Sequence, residues 1–123
     1  MKRINLVEVP LPKHRRPFTP GEMLEEEFLR PLSLSQQDLA EAIGMDRPSV
    51  NALLNGRRAV TPKTALRLER ALGVSAQFWL NLQQDLELWD ALHDRQLTRD
   101  LDHIKPIDLR KSTNRPSKIT KIG

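Results

Sequence analysis

Arg47, Pro48, Ser49, Asn51, Ala52 and Asn55 lie within one stretch of nine residues, and Arg57 and Arg58 follow directly. Asn51 carries a carboxamide, whose paired acceptor and donor match the edge that adenine shows in the major groove. The Arg47 guanidinium suits guanine in two-pronged fashion, or clamps a phosphate. Ala52 is small enough to touch a thymine methyl, and the Ser49 hydroxyl and the Asn55 amide offer further polar contacts. Two adjacent guanidiniums at Arg57 and Arg58 suit the nucleic-acid backbone better than base edges. Each of these residues also has an ordinary alternative as a solvated surface group, and the arginine pair can meet acids instead.

Other chemistries find less support. Cysteine is absent, which removes disulfides, thiolate metal sites and a cysteine nucleophile together. His14, His93 and His103 are scattered, without a helical His pair and acid at metal-ligand spacing. No glycine-rich phosphate loop and no serine elbow occurs. The acids Asp38 and Glu41, and Asp85, Glu87 and Asp90, read as helix-surface groups. The expectation is a protein that is not an enzyme and uses no cofactor or metal. No apolar run reaches the roughly 18 residues of a membrane span. The start of the chain, Met1-Lys2-Arg3-Ile4-Asn5-Leu6, lacks the apolar stretch of a signal peptide, so a cytoplasmic setting is expected.

For the polar stretch to face a duplex, a helix must present it, and capping signals place that helix among four others. Thr19-Pro20-Gly21-Glu22 opens a first helix with Met23, Leu24 and Phe28 inward, and Pro31 is expected to end it. Ser35-Gln36-Gln37-Asp38 opens a second, with Leu39, Ala40 and Ile43 inward and Gly44 as its stop. Pro48 opens a third, which runs to Asn55-Gly56. Its Val50, Leu53 and Leu54 cluster on one side, with Pro48, Asn51, Ala52 and Asn55 on the other. Thr61-Pro62 opens a fourth, lined by Ala65, Leu68, Ala71 and Leu72 and stopped by Gly73. Ser75 caps a fifth of roughly twenty residues by its 3.6-residue period, with Phe78, Leu82, Leu86 and Trp89 on one stripe. No strand alternation interrupts them, so the fold class is all-α, a five-helix bundle.

Helices two and three, joined by a short turn containing Gly44, have the proportions of a helix-turn-helix. Glycine gives that turn a left-handed backbone without a Cβ penalty. The start of helix two then faces the nucleic-acid backbone. Ser35 is its cap, and Gln36 is a candidate phosphate contact that can also brace helix three.

The flanks differ in composition. Residues 1–18 hold Lys2, Arg3, Lys13, Arg15 and Arg16 against Glu8, with Pro10, Pro12 and Pro17. Residues 97–123 hold seven basic residues against three acids, with Pro106 and Pro116. The expected organisation is a basic N-terminal arm at 1–18, a DNA-binding domain at 19–96 and a basic tail at 97–123. Basic arms suit a polyanion, although they also occur simply solvated.

The quoted segments resemble a known family. Leu34-Ser35-Gln36-Gln37-Asp38-Leu39-Ala40, Gly44 and Val50-Asn51-Ala52-Leu53-Leu54-Asn55-Gly56 are similar to the lambda-repressor-like, Xre-type helix-turn-helix. Pro20-Gly21-Glu22-Met23-Leu24 before that motif resembles the HigA/VapI antitoxins. So do Asn55-Gly56-Arg57-Arg58, Ala71-Leu72-Gly73 and Phe78-Trp79-Leu80-Asn81-Leu82-Gln83 at and beyond its end. The resemblance covers roughly residues 17–95. It implies an antitoxin that neutralises a RelE-like ribonuclease toxin and represses its own operon by binding a palindromic operator as a dimer. It also puts Gln36, Arg47, Ser49, Asn51 and Asn55 on DNA-reading positions. The alternative is a stand-alone repressor without a toxin partner.

Three features bear on partners. Leu80, Leu88 and Ala91 form a second apolar stripe on helix five, which suits a subunit or partner interface. A symmetric dimer would set two recognition helices about 34 Å apart, the spacing of successive major grooves. Glu25-Glu26-Glu27 reads as a solvated face, or as a contact for a basic toxin. Lys13-His14-Arg15-Arg16 suits DNA or a toxin, and spacing alone does not separate these.

Overall fold

The computed structural model describes residues 15–112 of the 123; the readings made for residues 1–14 and 113–123 lie outside it. The described residues are helical throughout their regular structure. The order is α1 (Pro20–Leu24), a π-helical turn (Glu25–Leu29), α2 (Arg30–Leu32), α3 (Gln36–Ile43), α4 (Arg47–Leu54), α5 (Pro62–Leu72), α6 (Ala76–Leu92), α7 (Arg95–Asp102) and a 3-10 turn (Leu109–Ser112). Two compact units divide at His93 and Asp94.

Hydroxyl and carboxylate caps start α1 and α3 to α7. Thr19 accepts from the Glu22 N–H at 3.0 Å while Glu22 accepts from the Thr19 N–H at 2.9 Å, a reciprocal capping box. Ser35 and Asp38 repeat that arrangement for α3. Thr61 caps α5 and Ser75 caps α6. Asp46, which sequence reading passed over, caps α4 by accepting the Ser49 N–H at 2.7 Å. The helix consequently begins at Arg47, one residue before Pro48.

Pro31 does not end the first helix. Residues 25–29 widen into a π-turn, in which the Arg30 N–H reaches the Glu25 carbonyl. The wider turn changes the hydrogen-bond register just ahead of a residue that has no N–H to give. The helix stops instead at Ser33, which is left-handed at φ 55°. The Leu34 N–H closes back on the Leu29 carbonyl at 2.8 Å.

The core of the first unit is built around Trp79, which is fully buried. Phe28 and Phe78 lie against it with ring centroids at 5.8 and 5.2 Å, the second edge-on. Leu24, Leu39, Val50, Leu53, Ala65 and Leu68 complete it from α1, α3, α4 and α5. Ala71, expected on the inner side of α5, is exposed. Trp89 is half-buried and stacks on His93 at 3.7 Å, so the deep aromatic anchor is the first tryptophan of α6.

The expected twenty-residue fifth helix is 17 residues long. A separate helix follows, capped by Asp94, which accepts from the Gln96 and Leu97 N–H groups. This α7 crosses position 96, where the sequence reading divides domain from tail.

Candidate nucleic-acid interface

The turn between α3 and α4 is Gly44-Met45-Asp46. Gly44 sits at φ 70° and ψ 37°, the left-handed region where a Cβ is strained. Arg67 of α5 locks this turn by donating Nη1 to the Ile43 and Gly44 carbonyls at 3.0 and 3.1 Å. These carbonyls belong to the end of α3 that its own hydrogen bonds leave open, and a cation there also suits the helix dipole. Sequence reading gave Arg67 no such role, because its partners are 23 and 24 residues away.

α4 has the two faces its spacing predicts. Val50 and Leu53 are buried at 0 and 1% exposure, whereas Pro48 and Asn55 are exposed and Ala52 is half-buried. Arg47 is exposed in the first turn. Ser35 is occupied as a cap, and Gln36 follows it at the first helical position of α3.

The remaining polar residues form two hydrogen-bonded sets, one on Asn51 and one on Ser49. Asn51 donates Nδ2 to Gln36 Oε1 at 3.1 Å, so α3 braces α4 through a side-chain amide pair. The Asn51 Oδ1 in turn accepts from Asn55 Nδ2 at 3.1 Å and from the Arg57 guanidinium at 2.9 Å. Arg58 reaches Ser49 Oγ at 3.0 Å. Ser49 stands over Asp46, whose carboxyl is held below its ordinary range by the Ser49 backbone N–H, the Ser49 side chain and the charge of Arg58. Seven of the ten residues singled out from sequence are thus joined directly or share this surface: Gln36, Ser49, Asn51, Asn55, Arg57 and Arg58 by side-chain bonds, Ser35 by capping beside Gln36. Arg47, Pro48 and Ala52 lie on α4 outside the bonds just described.

Two supports behind the interface escaped sequence reading. Gln83 of α6 accepts the Val60 N–H at 3.0 Å and so ties down the segment that follows Arg57 and Arg58. Gly21 of α1 lies where α1 crosses the end of α4. A Cβ there would collide with the Leu54 carbonyl oxygen and lie 2.7 Å from that of Leu53. Gly21 and Gln83 both occur in the family-like segments, yet only the packing shows their work.

The α3–turn–α4 unit, braced by α5 and α6 and edged with amides and guanidiniums, defines an Xre-type helix-turn-helix protein. A helix-turn-helix family model matches residues 26–79. The chain is 41% identical over 93 residues to antitoxin HigA-1 of Vibrio cholerae, covering 76% of this chain and 86% of that protein. It is 36% identical over 100 residues to an uncharacterized HTH-type transcriptional regulator of Haemophilus influenzae, covering 81 and 94%. Among solved structures, Pseudomonas aeruginosa antitoxin HigA with the higBA promoter superposes with a TM-score of 0.69 at 36% identity, covering 75% of this chain and 99% of that one. The chain belongs to the HigA/VapI family of helix-turn-helix proteins.

Proposed function

We propose that this protein is an antitoxin that neutralises a cognate RelE-like ribonuclease toxin and represses its own operon. It does the second as a homodimer on palindromic operator DNA. The observation that carries the reading is the amide and guanidinium surface of α4, preassembled on Gln36 and Asn51, in a chain 41% identical to antitoxin HigA-1. The likeness to a HigA antitoxin with promoter DNA supports DNA binding, and a helix-turn-helix lays its second helix, here α4, in a major groove.

In this reading residues 19–96 are the DNA-binding domain, and the basic segments at 1–18 and 97–123 flank it. Ser35 and Gln36 bring the start of α3 to the phosphates, and Arg47, Pro48, Ser49, Asn51, Ala52 and Asn55 present α4 to the groove. Arg57 and Arg58 extend that surface beyond the end of α4. Exposed Leu88 and Leu92 on α6, at 49 and 53% exposure, offer apolar area for the second protomer.

Affinity purification of the tagged chain from its native cells tests the antitoxin role. A stoichiometric small basic protein encoded next to it is the expected companion. Operator binding without such a companion would leave the second reading, a stand-alone repressor.

A further inference from the structure

The Asn51 carboxamide oxygen has two lone pairs, and both are taken. Asn55 Nδ2 stands at 3.1 Å and Arg57 Nη2 at 2.9 Å. Two-pronged pairing with adenine needs that oxygen as an acceptor for the adenine amino group. In the assembled surface the Asn51 oxygen is therefore spent on its neighbours. One of the two Nδ2 hydrogens is engaged as well, by Gln36.

Arg57 is in the opposite position. Its guanidinium carries five N–H donors in a planar fork, and the bond to Asn51 uses one of them. That bond also draws the group back from the loop to Asn51, six residues earlier in the middle of α4. A clamp aimed only at phosphate has no need of such a tether. Arg58 takes the other flank. Ser49 and Asn51 are about 160° apart around the helix axis at 3.6 residues per turn, and Asp46 lies beside Ser49 to offset the Arg58 charge. The two adjacent arginines are thereby separated into different environments.

We propose that Arg57, held on Asn51, reads a guanine through its O6 and N7 acceptors. Asn51 is the positioning residue behind it, itself set by Gln36. The operator half-site then contains a G·C pair at the position facing Arg57. This inference rests on the DNA-binding reading above and assigns within it which side chain carries base choice.

The test is selection of binding sites by the full-length chain from random-sequence duplexes. Affinity is then measured for the enriched site, and for each base change in it, across a salt series. Wild type should prefer guanine at one position of each half-site by about tenfold or more. Arg57→Ala should abolish that preference with little change in salt slope. Asn51→Asp keeps an acceptor for Arg57 but places acceptor against acceptor at adenine N7, so it should retain the guanine preference at lower overall affinity. Asn51→Ala should blur the same position.

Uniform weakening by Arg57→Ala on all sequences, with the salt slope flattened by about one, would make Arg57 a phosphate contact and overturn the proposal. Loss of an A·T preference in Asn51→Asp, with guanine preference intact in Arg57→Ala, would return base reading to Asn51. A wild-type chain that enriches no sequence would instead overturn the DNA-binding function itself. Thermal melts of each variant guard against misfolding, since Arg57 is exposed and its loss leaves the core intact.

Discussion

Gln83 Oε1 accepts the backbone N–H of Val60 at 3.0 Å, across 23 residues, and fastens the loop after α4 to α6. Val60 is buried at 4% exposure, so its N–H has little access to water once that partner is lost. Gln83→Ala should cost about 1–3 kcal/mol in chemical denaturation, the penalty for a buried donor left unpaired. It should also weaken DNA binding although Gln83 lies behind the interface. Unchanged stability would mean that the loop finds another acceptor.

Gly21 permits the closest approach between α1 and α4. Gly21→Ala puts a methyl against two backbone carbonyls, which cannot rotate away as a flexible side chain would. The backbone must shift, and the expected loss is about 1–3 kcal/mol or more in urea unfolding. Gly73→Ala, where open space surrounds the added carbon and only a φ of 80° opposes it, should cost less. Equal losses at both sites would remove the packing argument.

Asp38 completes the capping box of α3 and Asp46 caps α4, and both carboxyls are held below their ordinary range. For each the largest cause is the backbone N–H it accepts, at Ser35 and Ser49 respectively. A depressed folded-state pKa contributes stability that is present above the unfolded value, about 3.9, and is lost as pH falls through the folded value. Wild type should therefore lose stability below about pH 4. Asp46→Asn should start from a lower melting temperature at pH 7 and lose less on acidification. Parallel melting curves for the two proteins from pH 7 to pH 3 would exclude the linkage.

Arg16 pairs with Asp90 of α6 in two-pronged fashion, at 2.9 and 2.8 Å, while Arg15 lies 4.8 Å over the Phe18 ring. The basic segment before α1 is thus committed in part to its own domain rather than left wholly for DNA or toxin. Both partners are about half exposed, so the pair should contribute only about 0.2–1 kcal/mol in a double-mutant cycle of Arg16→Ala and Asp90→Ala. High salt should shrink that coupling. A coupling that survives 1 M salt would point to a more enclosed pair.

Much of this protein is legible without coordinates. The caps Thr19, Ser35, Thr61 and Ser75 begin their helices because their side chains satisfy N–H groups within three residues, a relationship wholly local in sequence. The inward sides of α3 and α4 follow from helical spacing in the same way, and so does the location of the amide-rich surface. Local signals misled at Pro31, where a π-turn absorbs the missing N–H, and at Ala71, where period alone does not tell how wide the covered stripe is. Tertiary structure decided what spacing could not express: that Arg67 locks the turn, that Gln83 fastens the arginine loop, that Gly21 marks a helix crossing, and that the Asn51 carbonyl is already filled. Each depends on distance between elements or on competition for one acceptor. Such competition is settled only when the folded chain brings all the claimants within reach of the same atom.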